Sequence, residues 1–136
     1  MSGDADGDLS LRGWAVPDGL EELHDLFERA RSAHSEVEGA AFMMLETAVI
    51  EIAGNVVEHG RPSGRVQWSF ELRVLPEVLE GVLSDDGQEY EGDLSTVMPD
   101  LMSESGRGLA LAWAALDSLD YAREGDHNVW TMRRDR

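Results

Sequence analysis

The hydrophobic positions of this chain change period several times, and each change marks an element. Leu9 to Val16 alternates loosely and includes Trp14, which predicts a first strand ending at Pro17. Asp18 can cap a helix, with Glu21 three residues on, and Leu20, Leu23, Phe27 and Ala30 recur at helical spacing, so a helix is predicted over 19–33. Residues 37–59 predict a second, longer helix, in which Leu45, Ala48, Val49, Ile52 and Val56 share one face before Gly60 and Pro62 stop it. From Arg65 to Leu75 the period falls to two. Val66, Trp68, Phe70, Leu72 and Val74 alternate there with Gln67, Ser69, Glu71 and Arg73, the pattern of a strand with one buried and one wet face. Pro76-Glu77 turns the chain into a partner strand, 78–84, which ends on Asp85-Asp86.

Residues 87–105 are rich in Gly, Asp, Glu and Ser and weak in periodicity; so long a connection is more often functional than idle, and a mobile lid is predicted there. After Gly106-Arg107-Gly108 the residues Leu109, Ala112, Trp113 and Leu116 form a helical face, which puts those glycines at a helix N-terminus. Strands over 119–123 and 129–133 flank the turn-forming run Gly125-Asp126-His127-Asn128. The order β-α-α-β-β-lid-α-β-β predicts an α+β fold, a two-layer sandwich with three helices on one face of a mostly antiparallel sheet. At 136 residues one domain is expected, over 9–136, behind a disordered acidic tail of residues 1–8, MSGDADGD.

Composition narrows the chemistry. With 28 acids against 11 bases the formal net charge is −17, which repels polyanions, so direct nucleic-acid binding is not expected and a basic protein partner is favoured. A nucleotide is still allowed, because Mg²⁺, backbone N–H groups and helix N-termini neutralise phosphates locally. There is no cysteine, hence no disulfide and no thiolate metal site. No apolar run approaching ~20 residues and no signal peptide are evident, so no membrane span is expected and a cytoplasmic location is. All the bases are arginine. Without a lysine, neither a Walker A loop nor the phosphate-binding lysine of the protein-kinase fold is possible.

Three local features could carry chemistry. Glu51, Asn55 and His59 are spaced by four, advance about 40° per step, and line the border of the apolar face of the second helix. They are either ordinary boundary residues or one wall of a site. Asp85-Asp86-Gly87 at a strand end is either a common turn or a cleft floor where Asp85 accepts a hydrogen bond from an exocyclic amine, such as that of adenine, and Gly87 permits close approach to the ring. Gly106-Arg107-Gly108-Leu109 is either a hinge before a helix or an anion site at its N-terminus, with Arg107 as an added cation or a solvated surface residue.

Taken in order, these elements resemble the GHKL ATPase superfamily, which includes gyrase B, MutL and sensor histidine kinases, and within it the small anti-sigma-factor serine-protein kinases. The likeness runs from Leu9 to Arg134. Glu51-Ile52-Ala53-Gly54-Asn55-Val56-Val57-Glu58-His59 matches the N box, Asp85-Asp86-Gly87 the D-x-G box, and Gly106-Arg107-Gly108-Leu109 the second glycine box. Leu116 to Tyr121, Gly125 and Asn128 to Met132 are similar to the closing strands. Where many members carry a second glycine after D-x-G, this chain has Glu89.

The resemblance implies ATP and Mg²⁺ as cofactors. Asn55 would bind the metal, Asp85 the adenine, and Gly106 with Gly108 the phosphates, with His59, Gly87, Arg107 and Leu109 completing the nucleotide site. Glu51 would be the catalytic base. The implied activity is phosphorylation of a serine or threonine on an anti-sigma-factor antagonist, a STAS-type domain, together with sequestration of a sigma factor by a homodimer. A catalytically silent ATP-binding sequestration module shares the same fold and motifs, and a structural protein with coincidental motifs is the third possibility. Retention of Glu51 favours the kinase.

Overall fold

The computed structural model describes residues 8–59, 66–87 and 114–136. Its elements are β1 (Asp8–Trp14), α1 (Pro17–Ala33), α2 (Gly39–His59), β2 (Gln67–Val74), β3 (Val78–Asp85), β4 (Ser118–Glu124) and β5 (His127–Asp135). The five strands form one sheet in the order β1-β2-β3-β5-β4, every pair antiparallel. Both helices pack on one face, which is the α+β sandwich the patterning predicts. The tail expected over 1–8 lies outside the described residues except for Asp8, which opens β1; so do the lid, apart from Gly87, and the third helix, apart from helical Ala114 and Ala115.

Helix α1 starts two residues before the predicted position. Val16 occupies the N-cap without a side-chain cap bond, Pro17 begins the helix, and Asp18 lies inside the first turn. The capping box at Asp18 is therefore not formed. Proline's fixed φ and missing N–H suit the first helical position, so Pro17 sets the start and Asp18 faces the positive dipole end instead.

The alternation in β2 buries Trp68, Phe70 and Leu72, and in β3 Leu79, Gly81, Leu83 and Asp85 share the same face. Against that face α2 lays Leu45, Val49 and Ile52, all fully buried, and α1 adds Leu23, Leu26 and Phe27. Phe27 meets Phe70 with ring centroids 5.9 Å apart. Gly81 makes this possible, since a Cβ there would come within 3.0 Å of the Phe70 ring and 3.5 Å of Val49. The opposite face of the sheet is polar: Glu80, only 6% exposed, accepts from Arg133 Nε at 2.8 Å.

Helix α2 also departs from expectation in one respect. Over Gly39–Glu58 it is long and apolar enough to cross a membrane by length and composition, with a mean hydropathy of 1.5. Met43 and Met44, beside its buried stripe, add to the average. Its stripe is spent on the sheet, as expected of a core helix. Glu46, on the side turned to α1, accepts from Arg31 Nη1 at 2.7 Å and pairs with His24 Nδ1 at 2.6 Å, tying the two helices together.

The closing hairpin is longer than predicted. β5 begins at His127, so only Gly125 and Asp126 remain as the turn, with Gly125 at φ +65° in the left-handed region that a tight hairpin requires. Asn128 is consequently a strand residue, paired with Asp85.

Candidate functional site

Asp85 is the last residue of β3 and continues its core-facing file, which explains why a carboxylate is only 1% exposed. Its Oδ1 accepts two hydrogen bonds, from the Gly87 backbone N–H at 2.9 Å and from Asn128 Nδ2 at 2.9 Å. Its Oδ2 is buried with no hydrogen-bond partner among the described residues. A buried polar atom without a partner costs about 1–3 kcal/mol, more if charged, so Oδ2 calls for a donor beyond the described residues. Burial pushes the Asp85 carboxyl above its ordinary value of 3.8; the Asn128 and Gly87 bonds oppose the rise, Asp86 adds to it, and Arg123 opposes it.

The geometry gives the D-x-G motif a local rationale. The chain must turn back within two residues for the Gly87 N–H to reach Oδ1, and Gly87 is itself buried. Asp86 points the other way, its Oδ1 accepting from the Gln67 backbone N–H at 2.9 Å, and so fastens the loop to the start of β2.

Four side chains gather behind Asp85. Asn128 Oδ1 accepts from Tyr121 Oη and from Arg123 Nη1, the latter at 3.1 Å, while its Nδ2 serves the carboxylate. That pattern orients the amide, because the carboxylate can only accept and the guanidinium can only donate. Arg123 Nη1 also donates to the Gly87 carbonyl at 2.8 Å. Tyr121 packs on Trp130 with ring centroids 4.6 Å apart, holding the phenol in place. Asn128 and Tyr121 were matched to the closing strands but not named as site residues, and Arg123 was not singled out at all. One signal was available: Asn128 falls in phase with Trp130 and Met132, a polar residue in an inward-facing file.

Glu51 and Asn55 lie one turn apart on α2, both half-buried, on the border of the apolar stripe as the spacing predicts. His59 is the last residue of α2. From there residues 60–66 lead to Gln67, beside Asp86, so α2 delivers the chain to the end of the sheet that carries Asp85. Glu51 also borders an open groove of about 350 Å³ between α1 and α2, with His24, Met43, Glu46, Thr47 and Ile50; Asn55 and Asp85 are not in its lining. Gly106, Arg107, Gly108 and Leu109 lie outside the described residues. Among the described residues no group of three or more His, Cys, Asp or Glu side chains is placed to hold a metal ion.

Residues 13–134 match the family of histidine kinase-like ATPase domains. Among solved structures the chain is similar to the Acinetobacter baumannii histidine kinase AdeS, at 14% sequence identity and a TM-score of 0.50, over 92% of this chain and 67% of that one. At that identity the likeness speaks to the fold alone. No curated protein shows a match by sequence.

Proposed function

Because this chain belongs to the family of histidine kinase-like ATPase domains, a GHKL-type ATP-binding fold, we propose that it is an anti-sigma factor with serine/threonine kinase activity. In this reading it binds Mg-ATP, phosphorylates a STAS-type anti-sigma-factor antagonist, and sequesters a sigma factor as a cytoplasmic homodimer. The observation that carries the nucleotide part is the buried Asp85 Oδ2, which has no partner among the described residues. An exocyclic amine is the complement that a lone, pre-oriented carboxylate oxygen lacks, and adenine presents one.

The residues present fit the cofactor. Asn55 supplies a neutral oxygen, suited to a Mg²⁺ held chiefly by phosphate oxygens, and Gly106 and Gly108 would present backbone N–H groups to the phosphates. Mg²⁺, when bound, neutralises charge on the phosphates. Glu51, half-buried and one turn from Asn55, would accept the proton of the incoming hydroxyl. Phosphoryl transfer needs positioning and charge stabilisation more than covalent chemistry.

The kinase and sigma-factor assignments rest on the motif order and on retention of Glu51. An acidic protein of net charge −17 also suits basic protein partners better than nucleic acid. The test is transfer of labelled γ-phosphate from ATP to candidate antagonist domains, with and without their acceptor serine or threonine. Label on the wild-type antagonist alone supports the proposal; ATP binding without any transfer overturns the kinase part. A dimer in light scattering at micromolar concentration supports the homodimer, and a monomer with or without ATP counts against it.

A further inference from the structure

The carboxylate at the centre of the site belongs to β3, yet what holds it comes from the β4–β5 hairpin. Arg123 is the link. Its Nη1 reaches two acceptors at once, the Gly87 carbonyl at 2.8 Å and Asn128 Oδ1 at 3.1 Å. Its Nε donates to the Gly125 carbonyl at 3.2 Å, so the guanidinium is braced on the turn of its own hairpin. Gly87 and Asn128 are in turn the two donors to Asp85 Oδ1, each at 2.9 Å.

We propose that Arg123 is a positioning residue for base recognition: by holding the Gly87 carbonyl and Asn128 together it fixes the Asp85 carboxylate so that Oδ2 alone faces the ligand's exocyclic amine. This rests on the reading of Asp85 as the adenine-recognising group. The two donors to Oδ1 differ in origin, one a loop backbone and the other a strand side chain, and Arg123 is bonded to both residues that carry them. Without it the Gly87 carbonyl is released, which frees φ and ψ at the residue whose N–H serves Asp85, and Asn128 Oδ1 keeps Tyr121 but loses its charged donor. The carboxylate then loses the restraint that distinguishes its two oxygens. A planar fork braced at Nε holds such a geometry in a way that a flexible ammonium does not. The positive charge adds a second effect, since Arg123 favours the ionised form of Asp85 against its burial.

A purely structural stitch between hairpins would use the same bonds, so the test must read recognition and not stability alone. The measurement is calorimetric affinity for Mg-ATP and for Mg-purine riboside triphosphate, which lacks the 6-amino group, on the full chain, with melting temperatures recorded alongside. Wild type should prefer ATP by about 10-fold or more, the range expected of one hydrogen bond to a charged group. Arg123→Ala should reduce that preference several-fold towards unity. A common loss of affinity for both nucleotides, with the preference intact, overturns the proposal and leaves Arg123 as a stitch. Where Arg123→Ala does not fold, Arg123→Gln, which keeps a planar donor but loses the charge and the fork, reads the same ratio, and an undiminished preference overturns the proposal equally. Wild type that binds both nucleotides alike, or neither, removes the adenine reading itself and this inference with it.

Discussion

Asp85 and Asn128 face each other across β3 and β5, and the Asn128 amide donates to one oxygen of the carboxylate while the other stays buried and unpartnered among the described residues. Stability and function are therefore opposed at this one side chain. Asp85→Asn preserves an oxygen for the Gly87 and Asn128 donors and removes the buried charge. The apo protein should melt at the same temperature or a few degrees higher, on the order of 1 kcal/mol more stable. Its ATP affinity should fall by about 10- to 150-fold, corresponding to ~1.5–3 kcal/mol for a lost hydrogen bond to a charged group. Scanning calorimetry and ATP titration on the same preparation check both halves. A variant that binds ATP like wild type would show that Oδ2 does not read the base.

The pH dependence follows from the same burial. An acid whose folded-state value is raised stabilises the fold while protonated; the contribution is full below the unfolded value, near 3.8, and is lost as pH rises through the raised folded value. Amine recognition needs the opposite, ionised form. Lowering the pH should thus weaken the preference for ATP over purine riboside triphosphate in wild type, with protonation beginning at higher pH than for an ordinary aspartate. Using the ratio of two triphosphates cancels protonation of the phosphates. Asp85→Asn should show no such pH-dependent loss.

Three glycines, indistinguishable by composition, should respond differently to alanine. A Cβ at Gly19 would meet the Trp14 carbonyl oxygen and the Trp68 ring at 2.7 Å each, and one at Gly81 would meet the Phe70 ring at 3.0 Å. Among the described residues nothing lies within 4 Å of a Cβ at Gly54, in the interior of α2. Gly81→Ala should destabilise by about 1–3 kcal/mol, the cost of overpacking a closed core, and Gly19→Ala by at least as much, since one obstacle is backbone. Gly54→Ala should stabilise by about 1 kcal/mol through helix propensity. Denaturant melts of the three variants decide it; destabilisation by Gly54→Ala would mean that its surroundings are not open.

The fold was legible where one pattern dominated. Strict alternation around Phe70 gave β2, and the file Leu45, Val49, Ile52 gave α2, because each buries a single face. Boundaries failed where two signals competed, as at Pro17 and Asp18, where proline's preference for the first turn outweighed the side-chain cap. Asp85 could be singled out because the D-x-G spacing is local. Asn128 and Arg123 could not, since their roles depend on the pairing of β3 with β5, over a sequence separation of 43 for the Asp85–Asn128 bond. Gly-Asp-His-Asn has the composition of a turn, and only the register makes its last residue part of the site.

The last prediction separates binding from chemistry. Glu51 and Asn55 sit one turn apart on the same border of α2 and are both half-buried, so burial alone gives them no different roles. Their chemistry does. A general base lowers the energy of the transition state only, whereas a metal ligand acts in the ground state as well. Glu51→Ala should bind Mg-ATP with wild-type affinity and phosphorylate the antagonist ~10²–10⁴-fold more slowly. Asn55→Ala should lose the Mg²⁺-dependent part of ATP affinity along with transfer, and its residual binding should be insensitive to EDTA. The two are read by single-turnover transfer assays paired with independent ATP titrations. If affinity and rate fall together in Glu51→Ala, Glu51 belongs to the metal's surroundings. Unchanged transfer in Glu51→Ala removes the general-base role altogether.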